Sequence, residues 1–118
     1  MAESVIKYEN KIEAVPLLDS GYTANITKVN NDNNWVMRSG HVATLRLNIK
    51  GVNVSSGNVN SGVLIPEGYR PVYEINFIVA DGSATGQTVG VITTTGVIRG
   101  IWFGPTGYLQ GTFTYICS

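Results

Sequence analysis

Nucleophilic catalysis needs a nucleophile, a base and a group that orients the base. The chain has hydroxyl side chains in plenty but a single histidine, His41, and a single cysteine, Cys117. His41 follows the turn signal Ser39-Gly40, the setting of a turn or surface residue. A glycosidase needs two carboxyl groups facing each other across the bond to be cut. Beyond residue 20 the candidates are Asp32, Glu67, Glu74 and Asp81. Glu67 stands in a turn between Pro66 and Gly68, and Glu74 falls on the polar side of an alternating segment, so both read as solvated. The stretch Gly82-Ser83-Ala84-Thr85-Gly86 invites a phosphate-loop reading, but no lysine follows and no helix is indicated. With one histidine and one cysteine there is no set of ligands for zinc or another transition metal. These residues predict a protein that is not an enzyme and needs no cofactor.

Recognition remains. Sugar and polyol sites on β domains combine an aromatic face, which packs on C–H surfaces, with amide, hydroxyl or charged groups that fix the ligand hydroxyls. Trp102 lies beside Phe103 and the Gly104-Pro105 turn, with Tyr108 and Gln110 on the segment that follows. Trp102 and Phe103 are consecutive, so on a strand one faces inward and the other outward. Core or subunit-interface packing of Trp102 therefore competes with ligand stacking. Trp35, flanked by Asn33-Asn34, is a second aromatic candidate.

The elements that would position these residues are strands. Apolar residues alternate instead of recurring at 3.6, and the chain has 14 glycines. From Val42 to Lys50, Leu45, Leu47 and Ile49 face one way, while Thr44, Arg46, Asn48 and Lys50 face the other. Trp35 to Arg38 leads into it through a tight turn at Ser39-Gly40. The Asn, Ser and Gly content of 53–62 predicts a surface loop. Leu64-Ile65-Pro66-Glu67-Gly68-Tyr69-Arg70-Pro71 predicts an extended approach, a turn and an extended exit. Tyr73, Ile75, Phe77 and Val79 then alternate with Glu74 and Asn76, a strand ending at the Asp81-Gly82 turn. Val89 to Thr93 and Val97 to Phe103 form a hairpin about Thr94-Thr95-Gly96. A turn at Pro105-Thr106-Gly107 leads to a closing strand, Tyr108 to Cys117. Many short strands of this kind predict an all-β, antiparallel sandwich or barrel.

Two units follow from this pattern. Residues 1–20 are charged and poor in glycine, and read as a linker or N-terminal edge segment, with an amphipathic helix over 4–14 as an alternative. Residues 21–118 form the β domain. A lone cysteine excludes an intrachain disulfide framework. No run of 18 apolar residues predicts membrane insertion, and the first residues lack the apolar stretch of a signal peptide, which predicts synthesis in a cytoplasm.

Charge is balanced, eight Lys/Arg against eight Asp/Glu, with no basic block of the kind nucleic acid requires. Its placement is uneven. Residues 82–118 carry a single charged side chain, Arg99, where a soluble surface usually has about a quarter to a third. Such a segment is either buried against other subunits or meets an uncharged ligand.

The run Trp102-Phe103-Gly104-Pro105-Thr106, followed by Gln110-Gly111-Thr112-Phe113-Thr114-Tyr115, resembles the C-terminal end of the head domain of lactococcal siphophage receptor-binding (lower baseplate) proteins. The Pro66–Pro71 turn, the Ile92–Val97 hairpin and Arg38-Ser39-Gly40 resemble the same domain. The resemblance covers patches of residues 35–118. It implies a homotrimeric β-barrel head at the phage tail tip, synthesised in the host cytoplasm and carried in the virion beside other baseplate proteins. It implies a partner too, a cell-surface saccharide of a Gram-positive host, bound in pockets near the subunit boundaries. A homotrimer would account for the uncharged third and would join weak sites by avidity.

In the family the polyol pocket uses a His and an Asp two residues apart, a Trp, and an Arg on the last strand. Here Trp102 matches the Trp, but Val89 and Val91 stand at the His and Asp positions and Gln110 at that of the Arg. The resemblance thus implies a pocket that has moved, one that reads a different and neutral saccharide, or a structural appendage that kept the fold without the site. The ligand-binding residues expected are Trp102 as stacking platform, Gln110 as amide partner, Tyr108 as rim aromatic, and Asp81 and Arg99 as groups holding hydroxyls. The alternative function is a structural baseplate or neck component that contacts other virion proteins.

Overall fold

The computed structural model describes residues 13–29, 31–51, 59–80, 87–101 and 108–118. They fold as nine strands in two antiparallel sheets, an arrangement compatible with a β-sandwich. In chain order the strands are β1 (Val15–Pro16), β2 (Ile26–Lys28), β3 (Trp35–Ser39), β4 (Val42–Gly51), β5 (Val59–Val63), β6 (Ile75–Ala80), β7 (Gln87–Ile92), β8 (Val97–Ile101) and β9 (Tyr108–Ile116). Short 3₁₀ turns occupy Asp19–Gly21 and Asn31–Asn33.

β4 is the axis of the first sheet. Along one flank it pairs with β9 over its length, from Val42 opposite Ile116 to Lys50 opposite Tyr108. Along the other flank β3 covers its first half and β2 its last residues, with β1 outside β3. Between β3 and β2 no strand faces β4, and a side chain fills the gap. Asn34, 1 % exposed, donates from Nδ2 to Asn48 O at 3.0 Å and accepts at Oδ1 from Asn48 N at 2.9 Å. The second sheet runs β5-β8-β7-β6.

The alternation on β4 works as the period predicts. Ala43, Leu45, Leu47 and Ile49 are buried, and on β9 Leu109 and Tyr115 join them. From the second sheet come Phe77, Ile92 and Ile98, so one core lies between the sheets. Across it the rings of Phe77 and Phe113 meet with centroids 4.6 Å apart and planes tilted by 49°, an arrangement aromatic pairs favour.

The segment 64–71 buries Leu64 and Ile65, then turns through Gly68 at φ +94°. Its backbone is held from three directions: Arg38 donates to Gly68 O, Tyr115 OH to Tyr69 O at 2.6 Å, and Arg70 Nε to Ile65 O at 2.9 Å. The β7–β8 hairpin docks on the same segment, since Leu64 N and Ile65 N both donate to Gly96 O.

Two expectations are corrected. Tyr73 is not on the buried face of a strand; it is 77 % exposed, and the strand begins at Ile75. The cause is a change of sheet: Pro71 bridges Cys117 and Val72 N donates to Ile116 O, so 71–72 belong to the first sheet and Ile75 to the second. Residues 59–63 are not a loop but β5, paired with β8 through two register shifts. There side chains stand in for ladder bonds, with Ile98 N donating to Ser61 Oγ and Gly62 N to Asn60 Oδ1, hence the loop-like composition. In the N-terminal segment, read as a linker or an edge segment, residues 15–17 are built into the domain. β1 edges the first sheet, Leu17 is buried, and Leu18 N donates to Leu64 O. The helix considered for 4–14 falls, but for its last two positions, outside the described residues, as do the turns at Asp81-Gly82 and Pro105–Gly107.

Candidate functional site

Side chains on β4 that do not enter the core stand on the outer face of the first sheet, beside their register partners on β3 and β9. Antiparallel pairing puts Trp35 opposite Arg46 and Arg46 opposite Thr112, while Pro16 of β1 lies opposite Trp35. One row thus crosses four strands, Pro16–Trp35–Arg46–Thr112, and at about 4.8 Å per strand it spans roughly 14 Å. The next rows carry Met37, Thr44 and Thr114 on one side and Asn48 with Gln110 on the other. Gln110, Thr112 and Thr114 are exposed, and Trp35 and Arg46 are half-buried.

The local reasons are plain in the sequence. β9 alternates inward Leu109, Phe113 and Tyr115 with outward Gln110, Thr112 and Thr114, and β-branched threonine suits a pleated surface. Arg46 Nη1 donates to Thr112 Oγ1 at 3.3 Å, which lays the guanidinium across the strand boundary. Asn48 is 7 % exposed although it lies on this polar face, and its Oδ1 meets no partner. At the edge of the face, Ala14, Pro16, Asp32, Asn34 and Trp35 enclose a shallow cavity of about 190 Å³.

Of the residues expected to bind ligand, Gln110 is exposed on this outer face. Tyr108 opens β9, its backbone paired with Lys50. Arg99 is on β8 in the second sheet, where it pairs with Glu74, Nη2 to Oε2 at 3.3 Å. Gln110 and Arg99 therefore lie on the outer faces of different sheets and do not share a site. Trp102 and Asp81 lie outside the described residues. Val91 on β7 pairs with Asn76 and Arg99.

Arg46, Thr112 and the cavity beside Trp35 were not singled out by the sequence. The alternation places Arg46 on the polar side of β4, but its neighbour Thr112 is 66 residues away and is brought to it by register alone. Raised phenols lie elsewhere: burial first, then Asp19, pushes Tyr22 up, and burial, then Cys117, does the same for Tyr115.

Other chemistry is dispersed among the described residues. No three of His, Cys, Asp and Glu come together as metal ligands. Glu67 is exposed in the 66–71 turn, Glu74 is paired with Arg99, and Asp32 borders the cavity. His41 accepts Cys117 N–H at its main-chain oxygen, at 2.7 Å. Among the described residues no helix is long and apolar enough to cross a membrane. Comparison of the chain with models of known families, with curated proteins and with solved structures finds no match.

Proposed function

We propose that this chain is the head domain of a phage tail adhesion device: non-catalytic, homotrimeric, with its two sheets closing as a barrel, and recognising a cell-wall saccharide of a Gram-positive host. The observation that carries the reading is the outer face of β4 and β9. There an amide (Gln110), hydroxyls (Thr44, Thr112, Thr114) and a guanidinium (Arg46) are presented together, with Trp35 in the same row. A ligand that satisfies amides, hydroxyls and a guanidinium at once must itself offer donors and acceptors in several directions, as a polyhydroxylated chain does.

The trimer draws support from the end of this same face, next to Thr44 and Thr114. Val42 and Ile116 are paired and exposed, Val72 bonds to Ile116 through its N–H, and Tyr73 follows it. Contiguous exposed apolar side chains are what a subunit contact covers. Three copies would then present three weak sites to one cell surface. In this reading the protein is made in the host cytoplasm and works at the tail tip among other baseplate proteins, binding no nucleic acid and entering no membrane. The same patch also suits the alternative, a structural baseplate or neck part held by virion proteins.

Light scattering during size exclusion should give about three times the 12.7 kDa of the chain; a stable monomer overturns the trimer. Fluorescently labelled protein should bind Gram-positive cells of some strain, less so after Gln110→Ala or Trp102→Ala. If no strain in a broad panel is labelled, the structural reading replaces the adhesin. Reducing ends released from purified wall polysaccharide would overturn the non-catalytic assignment.

A further inference from the structure

We infer that the cavity beside Trp35 is a subsite for one neutral pyranose ring, the end of a chain that continues over β4 and β9. The inference rests on the reading of the domain as a saccharide binder and adds to it a place and a ligand form.

Size limits the occupant first. Drug-sized sites occupy roughly 300–1,000 Å³, and about 190 Å³ leaves room for a single small ring and not for a nucleotide or a folded peptide. The lining then selects among rings. Trp35 supplies a flat apolar wall and one N–H donor, and Pro16, directly opposite it in register, extends the apolar surface with Ala14. A pyranose has such a C–H face. Asp32 stands at the polar side, and a carboxylate with about four acceptor positions can take ligand hydroxyls beside the contacts it already makes. The same negative charge opposes an anionic ring, which is why the subsite is assigned to a neutral one.

The walls are preformed. Asn34 is fixed by its two bonds to Asn48, its main-chain oxygen accepts Leu17 N, and β1 is paired to β3 at Pro16 and Trp35. Binding therefore orders little that is not ordered already, which favours affinity for a small ligand. The row that leaves the cavity, Arg46 then Thr112, carries donors at the point where a following sugar would lie.

Trp35 and Trp102 are the two tryptophans, and their indole N–H signals in a proton–nitrogen correlation spectrum of the wild-type protein, assigned with Trp35→Phe, report on each separately. Methyl α-glucopyranoside, methyl α-galactopyranoside and N-acetylglucosamine are the probes, with galacturonic acid as the anionic arm. At least one neutral probe should shift the Trp35 indole signal saturably, and galacturonic acid should not. Asp32→Asn should weaken that affinity about tenfold, the loss of charge-assisted hydrogen bonds.

No response of Trp35 to any neutral probe, or unchanged affinity in Asp32→Asn, overturns the subsite. If cells are labelled while Trp35 stays silent, the subsite fails and the adhesin reading stands. A saturable Trp35 response without labelling of any strain leaves the subsite and removes the adhesin.

Discussion

Asn34 and Asn48 are bonded side chain to main chain in both directions, so that one amide group does the work of a missing strand beside β4. Both groups are buried, and a buried peptide group without a partner costs about 1–3 kcal/mol. Asn34→Ala is expected to lower the unfolding free energy by about 2 kcal/mol, measured by urea titration. Asn34→Asp should restore most of it, because a carboxylate keeps the acceptor for Asn48 N, and Asn48 O still accepts from Val29 N at 3.0 Å.

Gly96 and Gly40 both have positive φ, +85° and +61°, yet they should respond differently to the same substitution. A Cβ at Gly96 would lie 2.6 Å from Ile65 O and 2.8 Å from Arg70 Nε, whereas one at Gly40 meets nothing within 4 Å. Asparagine tolerates the left-handed region better than most residues. Gly40→Asn is therefore expected to cost under about 1 kcal/mol, and Gly96→Asn roughly 3 kcal/mol or more, since the 64–65 backbone must move. Thermal melts of the two variants side by side decide it.

Burial holds the Tyr115 phenol, and that of Tyr22, protonated beyond the ordinary tyrosine range. A raised folded-state pKa means the unfolded chain releases the proton first. The associated stability is complete below the unfolded value of about 10 and is lost as pH rises from there toward the folded value. The melting temperature should be level between about pH 7 and 9 and fall above about pH 10. Tyr115→Phe removes the bond to Tyr69 O, at about 1 kcal/mol near neutrality, but should make the alkaline decline shallower. An equally steep decline would assign it to other groups.

Phe77 and Phe113 couple the two sheets across the core. A double-mutant cycle with Phe77→Leu and Phe113→Leu should return a coupling of about 0.5–1.5 kcal/mol. A value near zero would mean that the ring geometry contributes nothing beyond area.

Strand existence was legible wherever one face is buried for long enough. β4 and β9 display their period because Leu45, Leu47 and Ile49, and Leu109 and Tyr115, all enter one core. β5 was not legible, because Asn60 and Ser61 satisfy the backbone with side-chain oxygens and so write a loop-like composition into a strand. Tyr73 misled for the opposite reason: its alternation is genuine in sequence, but the chain changes sheets between Val72 and Ile75. β1 and β2 are too short to have a period at all. In the candidate site, the aromatic Trp35 and the amide Gln110 could be named from residue type. Arg46 beside Thr112 could not, because that contact depends on which strand lies next to β4 and in what register.

The Pro66–Pro71 turn is gripped at the main-chain oxygens of Ile65, Gly68 and Tyr69. Those atoms are common to every amino acid, so apart from Arg70, whose guanidinium makes one of the three bonds, the grip does not depend on which side chains the turn carries. Glu67 at its exposed tip is under no packing constraint. Apart from Gly68, whose φ demands its residue type, the tip has wide mutational latitude. A loop fastened in this way can be rewritten in what it displays while staying where it stands.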